Sequence, residues 1–328
     1  GETLSGEKGD LREAGNLLCH VALIGILIGV AWGHLLGWKG DVILPVGKTF
    51  ANTLSRYDTF SPGPWVDVND LEPFTLRLDD LRVEFETDTQ GQGQFGAPRD
   101  FEATPTFTDA EGTSEERSIR VNHPLETGDG TVFLLGNGYA PKITVRDGEG
   151  TVIYSDATPF LPQDNFYTSV GAVKVPGASP QQLGFAGFFL PTGIIDDQGP
   201  RSLFPDALDP QLALTAFEGD LFPSGRPQSV YSLDTEAMTA IPAEDGTDQL
   251  RILLRPGQTF ELPDGRGSIT FDEVQRFAGL SIRTDPGKSL TLVAALASLA
   301  GLVASLVIRR RRVFVRVGPG TEPGRTLV

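Results

Sequence analysis

Three histidines, one cysteine and a few paired acids are the side chains with chemistry to offer, and two of the histidines stand where a polar ring is costly. His20 and His34 lie in Leu17–Leu36 (LLCHVALIGILIGVAWGHLL), a run without Asp, Glu, Lys or Arg. A ring in hydrocarbon normally faces protein, cofactor or water. Fourteen positions at ~100° each leave the two rings roughly 40° apart on one helical face and about 21 Å apart along the axis. They share a stripe and are too distant to hold one iron between them. Each offers a neutral imidazole, the form that serves as an axial haem ligand, with the second ligand left to a partner. The alternative is an interfacial ring that hydrogen-bonds lipid headgroups. Cys19, next to His20, points to a different face and reads as a buried, inert thiol.

The rest of the chain offers little for catalysis. His123 sits in Val121-Asn122-His123-Pro124-Leu125, just before a proline, where a turn is the simpler role. There is no Gly-x-Ser-x-Gly elbow, no phosphate-binding loop with its lysine, and no His-Glu-x-x-His pair. Asp79-Asp80 and Asp196-Asp197 are neighbours in extended chain, so their carboxylates diverge. No catalytic residue is assigned. A hydrolase would have to be built around His123, and no acid and nucleophile accompany it in the sequence.

The elements that must position the histidines follow from hydropathy. Leu17–Leu36 is about the ~20 residues a helix needs to cross a bilayer, and Leu290–Ile308 (LTLVAALASLAGLVASLVI) repeats the pattern, ending at Arg309, Arg310, Arg311 and Arg312. A basic run at the end of a crossing is a cytoplasmic anchor. Five segments result: 1–16, a cytoplasmic flank; 17–37, a transmembrane helix; 38–287, an extracytoplasmic domain; 288–308, a second transmembrane helix; 309–328, a cytoplasmic basic tail. The first run is long for a signal peptide, and no small-residue cleavage site follows Leu36. The chain starts at Gly1 without Met, so two crossings are a minimum. Gly25, Gly29 and Gly33 on the first helix, and Ala297, Gly301 and Ser305 on the second, recur every fourth position and mark seams for close packing against other helices, which favours a complex over a mere pair of anchors.

Composition describes the middle. With 39% hydrophobic and 21% charged residues, the 328-residue chain can bury a core. Its 43 acids against 27 Lys and Arg give a net charge of -16, which argues against a nucleic-acid partner. Roughly -19 of charge falls between the two helices. One cysteine closes no intrachain disulfide. The 39 Gly and 24 Pro predict frequent turns. Short strands are expected at 74–78, 81–86, 131–135, 143–146, 152–154, 249–254 and 268–271, with turns at Gly136-Asn137-Gly138, Asp147-Gly148 and Asp264-Gly265. Residues 87–96 and 110–116 read as exposed loops, and 176–180 as a candidate boundary. The fold class is a membrane protein with at least two transmembrane helices flanking a large, mainly β extracytoplasmic domain, a sandwich or barrel-like structure.

In this order the residues resemble the ResB family of the system II cytochrome c maturation machinery, in its actinobacterial form. The likeness covers nearly the whole chain. It is carried by Leu11-Arg12-Glu13-Ala14-Gly15-Asn16-Leu17-Leu18 with His20, by Trp38-Lys39-Gly40, by Val121-Asn122-His123-Pro124-Leu125, by Val173-Lys174-Val175-Pro176, by Pro227-Gln228-Ser229-Val230-Tyr231, and by Asp285-Pro286-Gly287. The resemblance implies a plasma-membrane, multi-pass assembly factor rather than a self-contained enzyme. It implies work with a ResC (CcsA) type membrane partner to carry haem b outward, held transiently, for thioether attachment to apocytochrome c, whose reduction falls either to this protein or to a thioredoxin-like thiol reductant beside it. His20 matches the family's membrane histidine, a haem-iron ligand, while His34 rests on the helical-face argument alone. The family often carries an exported cysteine, whereas the lone Cys19 here lies in the membrane run. The competing expectation is a membrane-anchored binding or sensing module with no haem role, in which His20 is dispensable.

Overall fold

A computed structural model describes residues 2–88, 94–197, 199–223, 229–236, 238–243, 249–319 and 326–327. They form two compact units. One comprises Gly1–Lys39, Ser61–Asn69 and Arg283–Val328; the other comprises Gly40–Phe60 and Asp70–Ile282.

The first unit is an antiparallel helix pair. Helix α1 spans Leu11–Leu36 and α2 spans Lys288–Val307, both long and apolar enough to cross a membrane. Helix α1 begins six residues before the uncharged run, because Arg12, Glu13 and Asn16 are compatible with helix and Arg310 at the end of α2 pairs with Glu13. Beyond the helices, Glu2–Lys8 pairs antiparallel with Arg311–Pro319, from Lys8 opposite Arg311 to Glu2 opposite Val317. The two flanks expected as separate tails thus form a ribbon. Asp285 starts α2: its Oδ1 accepts the Gly287 N–H at 3.0 Å, and its carbonyl accepts the Lys288 N–H at 3.2 Å.

The second unit is mainly β. Residues Lys142–Arg146 and Ser268–Glu273 sit at the centre of a four-stranded sheet, flanked by Val152–Ala157 and Gln258–Glu261. A larger sheet orders Leu161–Pro162, Ser169–Val175, Gln182–Leu190, Gln211–Gly219 and Met238–Ala240, with Arg251–Leu254 also pairing Gln211–Gly219. Alternate residues of both sheets share one core, in which Ile143, Val145, Ile269 and Phe271 meet Val173, Val175, Phe185, Phe189, Leu212 and Leu214. Two sheets sharing inward side chains make a sandwich. A further sheet orders Thr59–Pro62, Trp38–Pro45, Arg276–Thr284, Thr131–Tyr139 and Leu125–Glu126. Another pairs Thr75–Phe85 with Thr49–Ala51 and Pro98–Thr108, over Phe50, Phe74, Leu76 and Phe107.

Several strand expectations change. The segments 74–78 and 81–86 are one strand, Thr75–Phe85, with a register shift between Leu78 and Asp80. At this irregularity the Asp79 carboxylate takes a hydrogen bond from Thr106 (2.5 Å) and an ion pair with Arg77 (2.7 Å). Gly136-Asn137-Gly138 is not a turn but part of the strand Thr131–Tyr139. A Cβ on Gly138 would lie 2.4 Å from the Phe277 ring, so this glycine serves a close approach rather than a reversal. Asp147-Gly148 does close a hairpin: Asp147 Oδ1 accepts the N–H groups of Glu149 and Thr151. Asp264-Gly265 lies in a short 3-10 turn between Gln258–Glu261 and Ser268–Glu273. Within 110–116, Ser114–Glu116 is a strand edge on Pro98–Thr108. Residues 176–180 join two paired strands of the larger sheet and bound no domain. Of the loop expected over 87–96, residues 89–93 lie outside the described residues.

Candidate functional site

His20 lies in the second turn of the uncharged run, on a part of α1 exposed to the surroundings rather than turned to α2. Its Nδ1 is 2.8 Å from the Asn16 carbonyl oxygen, four residues earlier. A carbonyl only accepts, so the bond puts the ring's proton on Nδ1. In the neutral ring Nε2 then keeps its lone pair and points away from the helix backbone. This is how a ligating histidine is usually oriented, with one nitrogen tied to a carbonyl and the other free for the metal. His34, in the last turn of α1, is also exposed. The helix is continuous between the two, so no single iron takes both.

The face of α1 turned to α2 is made of small residues. Gly15, Ala22 and Gly29 are buried there, as are Ala294 and Gly301 on α2. A Cβ on Gly15 would lie 2.9 Å from both the Gly301 carbonyl oxygen and the Ser305 nitrogen, and one on Gly301 would lie 2.7 Å from the Cys19 nitrogen. Gly25 faces the Ala294 Cβ, Gly29 faces Thr291 and Gly33 faces the Asp285 carboxylate. The structure therefore brings Gly25, Gly29, Gly33, Gly301 and Ser305 into one seam within the pair itself, so these faces, expected to meet the helices of a complex, meet each other. Ala297 is half-buried beside it. Cys19 lies on the seam, its Sγ 3.5 Å from Ser298 Oγ. With this face filled, the exposed faces bearing His20 and His34 are what α1 offers to anything else. Of the basic run, Arg309 is exposed, Arg310 pairs with Glu13, and Arg311 and Arg312 enter the strand opposite Glu2–Lys8.

Most of the other motif residues are structural. Residues Arg120 and His123 exchange backbone hydrogen bonds of 3.0 Å around Val121-Asn122, with Asn122 at φ 63°. The His123 ring is exposed, its Nδ1 3.3 Å from the Val121 carbonyl. Asparagine tolerates that left-handed backbone, which accounts for the motif as a turn. Val173 and Val175 are fully buried core residues, while Lys174 reaches the Ser229 carbonyl at 3.0 Å. Tyr231 donates to Asp58 Oδ1 at 2.5 Å, and burial, followed by that carboxylate, pushes its phenol pKa up. Pro227 and Gln228 of the same motif lie outside the described residues. Gly40 leaves room for the Tyr57 ring, and Tyr57, its pKa raised by burial, donates to Asn52 Oδ1 at 2.6 Å.

Among the described residues no three His, Cys, Asp or Glu side chains converge as a metal site. The β unit has a pocket of about 620 Å³ lined by Phe95, Phe101, Leu135, Asn137, Phe166 and Tyr167 among others. The Asp164 carboxylate there accepts the Phe166 and Thr168 N–H groups and so forms a turn at the pocket's edge. Sequence reasoning missed two features of the helix pair. One is the orienting carbonyl of Asn16, which any helical residue four before His20 would supply. The other is a cap on α1 from Gly63 and Trp65, signalled only by the Pro-Gly-Pro-Trp string.

Comparison with known proteins adds the family. The model of the ResB-like family matches residues 1–328. The "Cytochrome c biogenesis protein CcsB" of Synechococcus sp. (strain JA-3-3Ab) is 24% identical over 287 residues, 88% of this chain and 48% of that protein. Those of strains WH7803 and CC9311 are 26% and 27% identical over 244 and 247 residues, 74% of this chain and 48% and 47% of theirs. The chain spans about half the length of these curated relatives.

Proposed function

The chain belongs to the ResB-like family, and from that premise we propose that it is a non-catalytic subunit in cytochrome c biogenesis, acting with a ResC/CcsA-type membrane partner to deliver haem and apocytochrome c for covalent attachment. The relatives are named for cytochrome c biogenesis, which supports the process. One observation carries the haem role: His20 projects a ring whose Nδ1 is tied to Asn16 while Nε2 is left as a lone-pair donor, on a helix face that α2 does not use.

The positive-inside rule orients the pair. Arg309–Arg312 stay on the cytoplasmic side, so Glu2–Lys8 does too, and the acidic β unit is outside the plasma membrane. His20 then meets haem b near the cytoplasmic leaflet and His34 stands near the outer one. Haem is the cargo, and His20 supplies one axial nitrogen while the partner supplies the other. The thioether forms when a cytochrome thiol S–H adds across a haem vinyl group: sulfur bonds one carbon and hydrogen the other. That chemistry needs no nucleophile from this chain. A thioredoxin-like reductant keeps the cytochrome thiols reduced.

The test is co-expression of the membrane-embedded chain, in its full natural length, with its ResC-type partner, followed by the haem Soret spectrum of wild type and His20→Ala. Haem should copurify with wild type, and His20→Ala should lose or shift the band, with recovery on adding imidazole. An unchanged spectrum and haem content would make His20 structural and favour a tethered binding module.

A further inference from the structure

The residues Ser61–Asn69 belong to the helix unit although they follow α1 by more than two dozen positions and precede α2 by more than two hundred. Their backbone explains why. A helix ends with carbonyls that lack intrahelical partners. At the end of α1 the Leu35 carbonyl accepts the Trp65 N–H at 3.0 Å, and just beyond it the Gly37 carbonyl accepts the Gly63 N–H at 2.8 Å. The approach is possible only without a side chain at 63: a Cβ there would lie 2.5 Å from the carbonyl oxygens of His34 and Leu35 and 2.8 Å from that of Gly37. Pro62 and Pro64 on either side restrict the chain, and the Val66 N–H closes a turn onto the Gly63 carbonyl at 3.1 Å. The segment is a clasp on the helix terminus.

What the clasp presents is an indole. Trp65 is 64% exposed although it is held by its backbone to Leu35. The other two of the chain's three tryptophans stand at the same end: Trp32, exposed on α1, and Trp38, two residues past Leu36. Leu36 closes an uncharged run of about the ~20 residues that match a hydrocarbon core, so this end of α1 lies at a membrane boundary. An indole is a large apolar ring with one N–H donor, and it is most stable where one end is apolar and the other wet. Polar side chains follow at once, since Asp67 accepts from Asn69 through both its backbone and side-chain N–H groups.

We propose that Ser61–Asn69 is a lipid-interface anchor, with the Trp65 indole seated at the headgroup–acyl boundary beside the C-terminal end of α1 and completing a belt with Trp32 and Trp38. The occupant of this surface is lipid. The anchor fixes the depth at which α1 ends, and with it the depth of His34. It rests on the crossing helices and is independent of haem.

The test uses the full chain in phosphatidylcholine vesicles, with Trp32→Phe and Trp38→Phe leaving Trp65 as the single emitter. Its fluorescence should be blue-shifted from that of the same chain in urea. It should be quenched more by lipids dibrominated near the headgroup than by lipids dibrominated near the chain ends, and weakly by acrylamide. Adding Gly63→Val, which collides with three carbonyls, should displace the clasp and reduce the bromolipid quenching. If the two Phe substitutions unfold the helix pair, Trp65→Phe in the otherwise unaltered chain gives the same information, as a loss of shallow bromolipid quenching. Emission like that in urea with strong acrylamide quenching would overturn the proposal. So would a blue-shifted emission indifferent to bromolipid, which would place Trp65 against protein.

Discussion

The helix pair and the β sandwich are packed by opposite rules. In the sandwich the largest rings are the most buried: Phe160, Phe185 and Phe189 are all 0% exposed. In the helix pair the buried positions are Gly15, Ala22, Gly29, Ala294 and Gly301, while Leu17, Leu27 and Leu306 face outward. Water drives large apolar groups together, so a water-borne core fills with them. Between two helices in lipid that drive is missing, because hydrocarbon is as apolar as leucine. Attraction there comes from close backbone approach, which needs small residues. Bulk is therefore stabilising in one unit and disruptive in the other, which also bears on His20: its ring stands on the face where bulk is tolerated.

Truncation in the sandwich breaks this comparison most severely. Phe189 packs against Tyr139 at 5.0 Å and Phe271 at 6.1 Å between ring centroids. Phe189→Ala should cost about 3–5 kcal/mol, seen as a lower denaturant midpoint for the near-ultraviolet signal of the β unit; an unchanged midpoint would contradict the shared core. Enlargement in the helix seam comes next. Gly301→Leu should separate the helices at a cost of about 1–3 kcal/mol. Ser298→Cys supplies the readout, since its sulfur would face Cys19 across the seam. Oxidation should crosslink the two, Gly301→Leu should abolish the crosslink, and Leu306→Ala, at a position 74% exposed, should leave it intact. The smallest effect sharpens the contrast on the polar surface. Chiefly the Thr106 hydrogen bond, with Arg77 also contributing, holds the Asp79 pKa below the usual carboxylate range. A depressed folded pKa adds stability that is present above the unfolded value near ~4 and fades as pH falls through the folded one. Thr106→Val should cost no more than about 1 kcal/mol at neutral pH, with the gap to wild type closing below about pH 4. A gap that widens on acidification would assign Asp79 a different partner.

Legibility in the sequence follows the same physics. Both helices are visible because lipid tolerates no charge over ~20 residues, and that requirement leaves an unbroken mark. Strands are visible where polar and apolar residues alternate, as at Lys142–Arg146 (KITVR) and Ser268–Glu273 (SITFDE). Strands such as Gln182–Leu190 (QLGFAGFFL) and Pro98–Thr108 escape, the first because glycine and phenylalanine mask its alternation and the second because its prolines read as turns. Gly136-Asn137-Gly138 misleads because glycine signals both reversal and close approach. His20 stands out as a polar ring in an apolar run, but its orientation does not, since the Asn16 carbonyl that sets it belongs to the backbone. The clasp at Gly63 leaves only its Pro-Gly-Pro-Trp string as a mark, and the partner it serves is illegible because the acceptors are backbone carbonyls.

The antiparallel pairing of α1 with α2 has a consequence in time. Roughly 250 residues separate Leu36 from Lys288, and at about 5–20 residues per second of synthesis the first helix waits on the order of 10–50 s for the second. The strand Arg276–Thr284, central in its five-stranded sheet, leaves the ribosome just before α2. One late stretch of chain therefore completes both units, and a nascent chain halted before it holds an open glycine seam in lipid and an unfilled sheet in water at the same moment.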